Sequence, residues 1–128
     1  LSRREARSRA IEVLGWLDLE NDADVLADTV PYGIERRVGI ARALATHPRW
    51  ILLDEPAAGL TDAETELTAQ LLVELKKEHT LLVIEHDMDF VRRFDSTVTV
   101  LNEGKVLAEG PLEEVERNEL VREAYLGR

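Results

Sequence analysis

Asp54 and Glu55 are adjacent carboxylates that close a short apolar run, Trp50-Ile51-Leu52-Leu53, and Pro56 follows them at once. Four apolar residues without polar alternation predict a buried strand with both faces covered, as in a parallel sheet. Ligands of such sheets bind beyond the carboxyl ends of the strands. Both carboxylates sit at that end. One could hold Mg²⁺ directly or through water while the next orients or deprotonates an attacking water, so the pair meets the demands of phosphoryl transfer from a Mg-nucleotide. Taken alone, Asp-Glu-Pro is equally well the polar stop of a strand that opens a loop.

Three further segments, in fixed order around this one, carry a resemblance. Upstream lies Val30-Pro31-Tyr32-Gly33-Ile34-Glu35-Arg36-Arg37-Val38-Gly39-Ile40-Ala41-Arg42-Ala43-Leu44; downstream come Ala57-Ala58-Gly59-Leu60-Thr61 and then Ile84-Glu85-His86-Asp87. Together with residues 51–55 they resemble the signature loop and helix, Walker B strand, D-loop and switch histidine of the ATP-binding subunits of ABC transporters. The likeness runs from residue 1 to the terminal Tyr125-Leu126-Gly127. It is nearest to the subunits serving branched-chain amino acid and urea importers, where Pro-Ala-Ala-Gly-Leu, Glu-His-Asp-Met and a terminal Tyr-Leu-Gly recur.

The resemblance implies roles residue by residue. Asp54 would hold Mg²⁺, through water. Glu55 would polarise the water that attacks the γ-phosphate, and His86 would bond both that phosphate and the Glu55 carboxylate, an imidazole being suited to sensing its presence. Pro31, Tyr32, Gly33 and Ile34 would meet the ATP held by the opposite subunit. This segment also departs most from the family, whose usual residues are Leu-Ser-Gly-Gly-Gln. Pro31 replaces the serine and has neither a hydroxyl nor a backbone N–H, and Ile34 stands where glutamine is usual. Gly33 and the amides opening the helix can still offer a positive helix end to phosphate. The plainer reading is a tight turn at 31–33 before a helix. Thr61 stands where the family has aspartate, and Asp62, one place late, reads as helix N-terminal charge rather than as a D-loop residue. Small residues at 57–60 would allow close backbone approach across a subunit interface. Arg36, Arg37 and Arg42 could pair with carboxylates or phosphate, but for any one of them a solvated or salt-bridging role is the plainer reading. His47 and His79 have no such context and read as surface or helix-end residues.

No Gly-x-x-x-x-Gly-Lys-Ser/Thr occurs in the chain, so no loop of amides and lysine cradles β- and γ-phosphates. In the family that loop lies upstream. With Leu1 at its start in what reads as a helical subdomain, the chain is expected to be the C-terminal part of one nucleotide-binding domain and inactive as an ATPase alone. The expected fold is α/β: a partial P-loop NTPase domain of ABC type, with residues 1–48 forming the helical signature region. Residues 49–128 would carry the parallel strands and a C-terminal β-hairpin.

The elements that must position these side chains read as follows. Ser2-Arg3-Arg4-Glu5 has capping-box spacing, and Ala6, Ala10, Val13, Leu14 and Leu17 continue as a helical stripe ending near Asp18. Residues 21–29 form a polar connection. Pro31 and Gly33 turn the chain into a second helix with Val38, Ala41, Leu44 and Ala45 on its apolar side, ended by Pro48. Thr61-Asp62-Ala63-Glu64 is another capping box, opening a helix whose Leu67, Leu71, Leu72 and Leu75 face a sheet and which leads to a strand at 80–84. Strand, helix and strand make one parallel crossover. Asp87 can cap a short helix through Arg93. Strands 97–101 and 105–109 pair across Asn102-Glu103-Gly104 as a hairpin, Gly104 supplying positive φ. Pro111 begins a last helical region.

Composition bounds the partners. At 128 residues and 45% hydrophobic content the chain has enough for one core. The absence of cysteine excludes disulfides and cysteine-bound zinc, and the three histidines are too scattered for a zinc site. No apolar stretch approaches the ~20 residues that span a bilayer. A net charge of −10 disfavours nucleic acid, which argues against an ABC-type ATPase of DNA repair.

The expected function is therefore the ATP-binding and hydrolysing subunit of an ABC importer of branched-chain amino acids or a similar small polar solute, using ATP and Mg²⁺. Its expected partners are transmembrane permease subunits, a second ATP-binding subunit and, indirectly, a periplasmic or extracellular solute-binding protein. It would be cytoplasmic and peripheral on the inner face of the membrane through the permease. The alternative is a truncated, non-hydrolytic ABC module acting as a regulatory or dimerisation partner. Retention of Asp54, Glu55 and His86 weighs against it.

Overall fold

The computed structural model describes residues 1–126, which fall into two compact units, Leu1–Phe90 and the stretch from Val91 onward. In the first, helix α1 (Arg3–Gly15) opens on the expected capping box. Ser2 Oγ accepts from the Glu5 amide at 3.2 Å, and Glu5 Oε2 accepts from the Ser2 amide at 2.6 Å. Two otherwise unpaired amides of the first turn are thereby satisfied. Val13, Leu17 and Leu19 are fully buried, whereas Ala6 and Ala10 of the expected stripe face solvent. Asp18, between the two buried leucines, takes a left-handed φ of +57°.

The polar connection contains only two single 3-10 turns, Glu20–Asp22 and Ala27–Thr29. Helix α2 (Tyr32–Leu44) starts directly after Pro31, which occupies the N-cap with extended backbone, a place where its missing N–H is no loss. Tyr32, Gly33 and Ile34 are thus first-turn helical residues and not a turn preceding the helix. Ala41 and Leu44 are buried; Ala45, expected beside them, is exposed.

Strands β1 (Trp50–Asp54) and β2 (Thr80–Ile84) pair in parallel with Trp50 opposite Thr80 and Asp54 opposite Ile84. Between them runs α3 (Asp62–Leu75), opened by the second capping box. Thr61 Oγ1 accepts from the Glu64 amide at 3.2 Å and Glu64 Oε2 from the Thr61 amide at 2.9 Å. The helix buries Thr68, Ala69, Leu72 and Leu75, while Leu67 and Leu71 are half-buried.

The expectation that β1 is covered on both faces is not met. Ile51 is buried, but Trp50 is 64% and Leu52 71% exposed, and on β2 Leu82 and Ile84 are 52% and 58% exposed. Side chains alternate between the faces of a strand, so these four share one face of the pair. An apolar run identifies residues able to be buried on both sides; whether anything lies over each side is decided by the rest of the chain.

Asp87 Oδ1 accepts from the amides of Asp89 and Phe90 and so caps α4 (Met88–Arg92). In the second unit, β3 (Thr97–Asn102) and β4 (Lys105–Pro111) form an antiparallel hairpin with an irregular register between Val100 and Leu101. Glu103 and Gly104 both have positive φ, +49° and +75°. That is the two-residue turn whose twist matches paired strands. Strand β4 continues to Pro111, past its expected end at Glu109, and Pro111 then serves as N-cap of α5 (Leu112–Arg117). A short α6 (Glu119–Val121) and a π-type turn (Arg122–Leu126) follow, and the Tyr125 hydroxyl donates to the Leu101 carbonyl. Gly127, part of the expected terminal motif, lies outside the described residues.

Candidate active site

Parallel pairing brings the ends of β1 and β2 to the same edge, and the register places Asp54 opposite Ile84. The Glu55 amide continues the ladder by donating to the Ile84 carbonyl at 2.8 Å. The backbone of Glu55 then turns into the left-handed region, φ +48°. For a residue with a Cβ this costs on the order of 1–3 kcal/mol and persists where neighbouring bonds over-determine it. Several do so here. The Glu55 carbonyl accepts from Arg36 Nη2 at 2.7 Å and from the Ala58 amide at 3.1 Å, and Pro56 is buried.

The sharp turn aims the Glu55 carboxylate at the loop leaving β2. His86 Nδ1 lies 3.3 Å from Glu55 Oε1, with both side chains more than half exposed. This is longer than a well-formed hydrogen bond, but catalytic contacts often tighten only when substrate is bound. Asp54 is exposed beside them. A carboxylate and an imidazole thus meet at one solvent-open edge, at the strand end that also carries Asp54.

The two strand ends and their loops are acidic, with the Arg36 guanidinium reaching in from α2 to the Glu55 carbonyl. Asp54, Glu55, Glu85 and Asp87 crowd the two strand ends, and residues 50–61 and 80–87 contain no lysine or arginine. Polyphosphate brought here needs a cation between itself and these carboxylates. Among the described residues no group of three or more His, Cys, Asp or Glu side chains is arranged to hold a metal. Asp54, exposed at the end of β1, could supply carboxylate oxygens to an ion whose shell is otherwise water and phosphate, as Mg²⁺ prefers.

The signature candidates sit at the start of α2. Pro31 and Tyr32 are exposed and Ile34 is half-buried, but Gly33 is buried under the Glu64 side chain; a Cβ there would meet Glu64 at 2.6 Å. The Tyr32 hydroxyl reaches the Ala58 carbonyl at 3.4 Å and its ring lies on Gly59, whose φ is +76°. The small residues at 57–60 therefore admit a tyrosine of the same chain.

The expected salt-bridging or solvated roles of the arginines are revised for two of them. Arg36 bonds the Glu55 carbonyl and lies 5.8 Å from the Tyr32 ring centre, while Arg37 donates to the carbonyls of Leu17 and Asp18. Main-chain oxygens, which residue type does not reveal, are the acceptors. Glu85 is a site residue that sequence reasoning passed over. Its Oε1 accepts from the Ala57 amide at 2.9 Å and its Oε2 from the His86 amide at 3.2 Å, tying the loop after β1 to the loop after β2. The available signal was its place one residue beyond a strand end in register with Asp54. His47 meets Arg9 at the end of α2, and His79 bonds the Pro48 carbonyl, both away from this edge.

Comparison with known proteins gives two family matches, one described as ABC transporter over residues 2–58 and one as branched-chain amino acid ATP-binding cassette transporter over residues 105–128. The high-affinity branched-chain amino acid transport ATP-binding protein BraF of Pseudomonas aeruginosa is 43% identical over 128 residues, covering 98% of this chain and 50% of its own length. The chain thus spans about half the length of the curated relatives it matches. Among solved structures, the ADP conformation of MJ1267, an ATP-binding cassette of an ABC transporter, superposes with a TM-score of 0.84 at 32% identity, over 94% of this chain and 50% of that one. The dimeric post-hydrolysis state of the cassette MJ0796 with ADP and Pi gives 0.75 at 35% identity, over 88% and 49%.

Proposed function

We propose that the chain, which is similar to ATP-binding cassettes of ABC transporters, supplies the signature, Walker B, D-loop and switch part of one nucleotide-binding domain in an importer of branched-chain amino acids or a similar small polar solute. The observation that carries this reading is the convergence of Glu55 and His86, 3.3 Å apart, beside Asp54 at the shared end of two parallel strands. Residues 1–48 would form the helical signature region and residues 49–128 the remainder of one domain. Phosphate-binding amides and lysine must come from sequence other than these residues, which contain no such motif.

In this reading Glu55 holds the attacking water in line with the γ-phosphate and draws off its proton. Most of the rate gain comes from positioning. His86 bonds the γ-phosphate and the Glu55 carboxylate, and so registers hydrolysis as the loss of one partner. Asp54 would hold Mg²⁺ through water, and the ion would supply charge neutralisation at the phosphates. A dimer structure among the relatives supports a two-subunit arrangement in which Pro31, Tyr32, Gly33 and Ile34 meet ATP across the interface. Closure of that pair would drive permease subunits between inward- and outward-facing states, with a periplasmic or extracellular solute-binding protein delivering the solute. No helix among the described residues is long and apolar enough to cross a membrane, so attachment to the cytoplasmic face would run through the permease.

The test is Glu55→Gln in the full-length cassette. ATP binding is expected to persist while steady-state phosphate release stops. Sustained turnover by this variant would exclude Glu55 as the base.

A further inference from the structure

The Glu55 backbone is held in a left-handed conformation by bonds on both of its peptide groups, and two of those bonds, from Arg36 and from the Ala58 amide, come from outside the sheet. The Glu55 amide is pinned to Ile84 at 2.8 Å. Pro56 can donate nothing, so the next fixed points are the Glu55 carbonyl, held by Arg36 Nη2 at 2.7 Å, and the Ala57 amide, held by Glu85 at 2.9 Å. The Arg36 guanidinium is itself placed by the Tyr32 ring 5.8 Å away and is half-buried. A charge-assisted bond of this kind is about twice as strong as a neutral one. It fixes the orientation of the peptide plane from which the Glu55 side chain departs.

We propose that Arg36 is a positioning residue for Glu55: its guanidinium, fixed on the first turns of α2, holds the Glu55 carbonyl so that the strained backbone presents the carboxylate to the attacking water and to His86. The inference rests on the role proposed above for Glu55. The carboxylate's aim then depends on where the start of α2 lies, because the same helical turn carries Tyr32, whose hydroxyl reaches the Ala58 carbonyl. Loss of the guanidinium leaves the Glu55 carbonyl bonded to the Ala58 amide and the strand ladder unbroken, so the fold survives while the aim loosens.

The experiment uses the full-length cassette with its phosphate loop. Arg36→Ala is expected to lower kcat by about tenfold or more, since a misplacement of about 1 Å can cost as much as 10²-fold. The dissociation constant for ATP, measured separately with a fluorescent analogue, should stay within about twofold, because no step of binding uses the Glu55 carbonyl. Arg36→Lys, which keeps a cation at that carbonyl but not the fork geometry, should recover part of kcat. Arg42→Ala removes the same charge from an exposed position of the same helix and should leave kcat unchanged.

An unchanged kcat in Arg36→Ala overturns the proposal. So does a fall in kcat matched by Arg42→Ala, which would be an effect of helix charge, or one accompanied by a proportionate loss of ATP affinity or of thermal midpoint with no recovery in Arg36→Lys. Glu55→Gln run in parallel separates the two failures. If that variant still turns over, the assigned role of Glu55 is at fault; if it is dead while Arg36→Ala is fully active, only the positioning role is.

Discussion

The open face of the β1/β2 pair carries a quantitative prediction about the 128-residue chain by itself. Full burial of a large apolar side chain stabilises by roughly 1.5–3 kcal/mol. Scaled by the exposures of Trp50, Leu52, Leu82 and Ile84, between 52% and 71%, covering this face yields roughly 4–7 kcal/mol per copy. Two copies placing the same face together, the self-complementary geometry of a two-fold dimer, would gain roughly 7–15 kcal/mol. Association costs about 4–15 kcal/mol in lost freedom. Taken at like ends, the two ranges leave a surplus between about 0 and 3 kcal/mol, so the expected dimer is weak and only partly formed at the highest concentrations. The net charge of −10 on each copy opposes pairing, so added salt should strengthen it.

Sedimentation velocity across a concentration series is the assay, and the average mass should rise with concentration. Leu52→Lys removes the most exposed of the four leucine, isoleucine and tryptophan side chains and weakens the dimer by roughly 30-fold or more, at 1.4 kcal/mol per decade. Because lysine reduces the net negative charge, weakened association could not be ascribed to repulsion. A wild-type chain that stays strictly monomeric at all concentrations and salt levels, or a Leu52→Lys chain that associates as before, would refute the reasoning.

Two further outcomes follow from the interior and from the first helix cap. Leu72 is fully buried on α3, so Leu72→Ala should cost about 2–5 kcal/mol, read as a shift in the urea midpoint at constant slope; a cost under about 1 kcal/mol would mean that the site is not packed as described. Glu5 has its pKa lowered by the Ser2 amide, with the Ser2 hydroxyl contributing. A carboxylate with a depressed folded pKa contributes stability that is present above its unfolded pKa and is lost as pH falls through the folded value. The start of α1 should therefore be intact at neutral pH and fray on acidification below the ordinary carboxylate range, with the Ser2 and Glu5 amide resonances shifting together. Titration of Glu5 at an ordinary value would count against the cap.

Local signals reported local structure well. Both capping boxes, at Ser2 and Thr61, form with reciprocal bonds, because every group they need lies within four residues of sequence. The hairpin turn at Glu103-Gly104 is likewise a matter of neighbouring φ values. Less legible were the left-handed backbones of Asp18, His47 and Glu55, none of which is glycine. At Glu55 the conformation is held by bonds to distant residues, from Arg36 and to Ile84. Glu85 escaped notice because its meaning depends on which strand lies beside it.

Composition and spacing by themselves determined that this chain has two strands ending in carboxylates and an imidazole, joined by a capped helix, an order that resembles that of ABC cassettes. The reason is that strand ends, caps and chemically distinctive side chains are written in consecutive residues. Only the tertiary structure decided that β1 and β2 are parallel neighbours in a register that sets Glu55 against His86. It alone decided that Arg36 directs its charge to a main-chain carbonyl. Those outcomes depend on contacts between residues about 20 to 30 apart, and a carbonyl acceptor is the same at every position, so no residue type announces it.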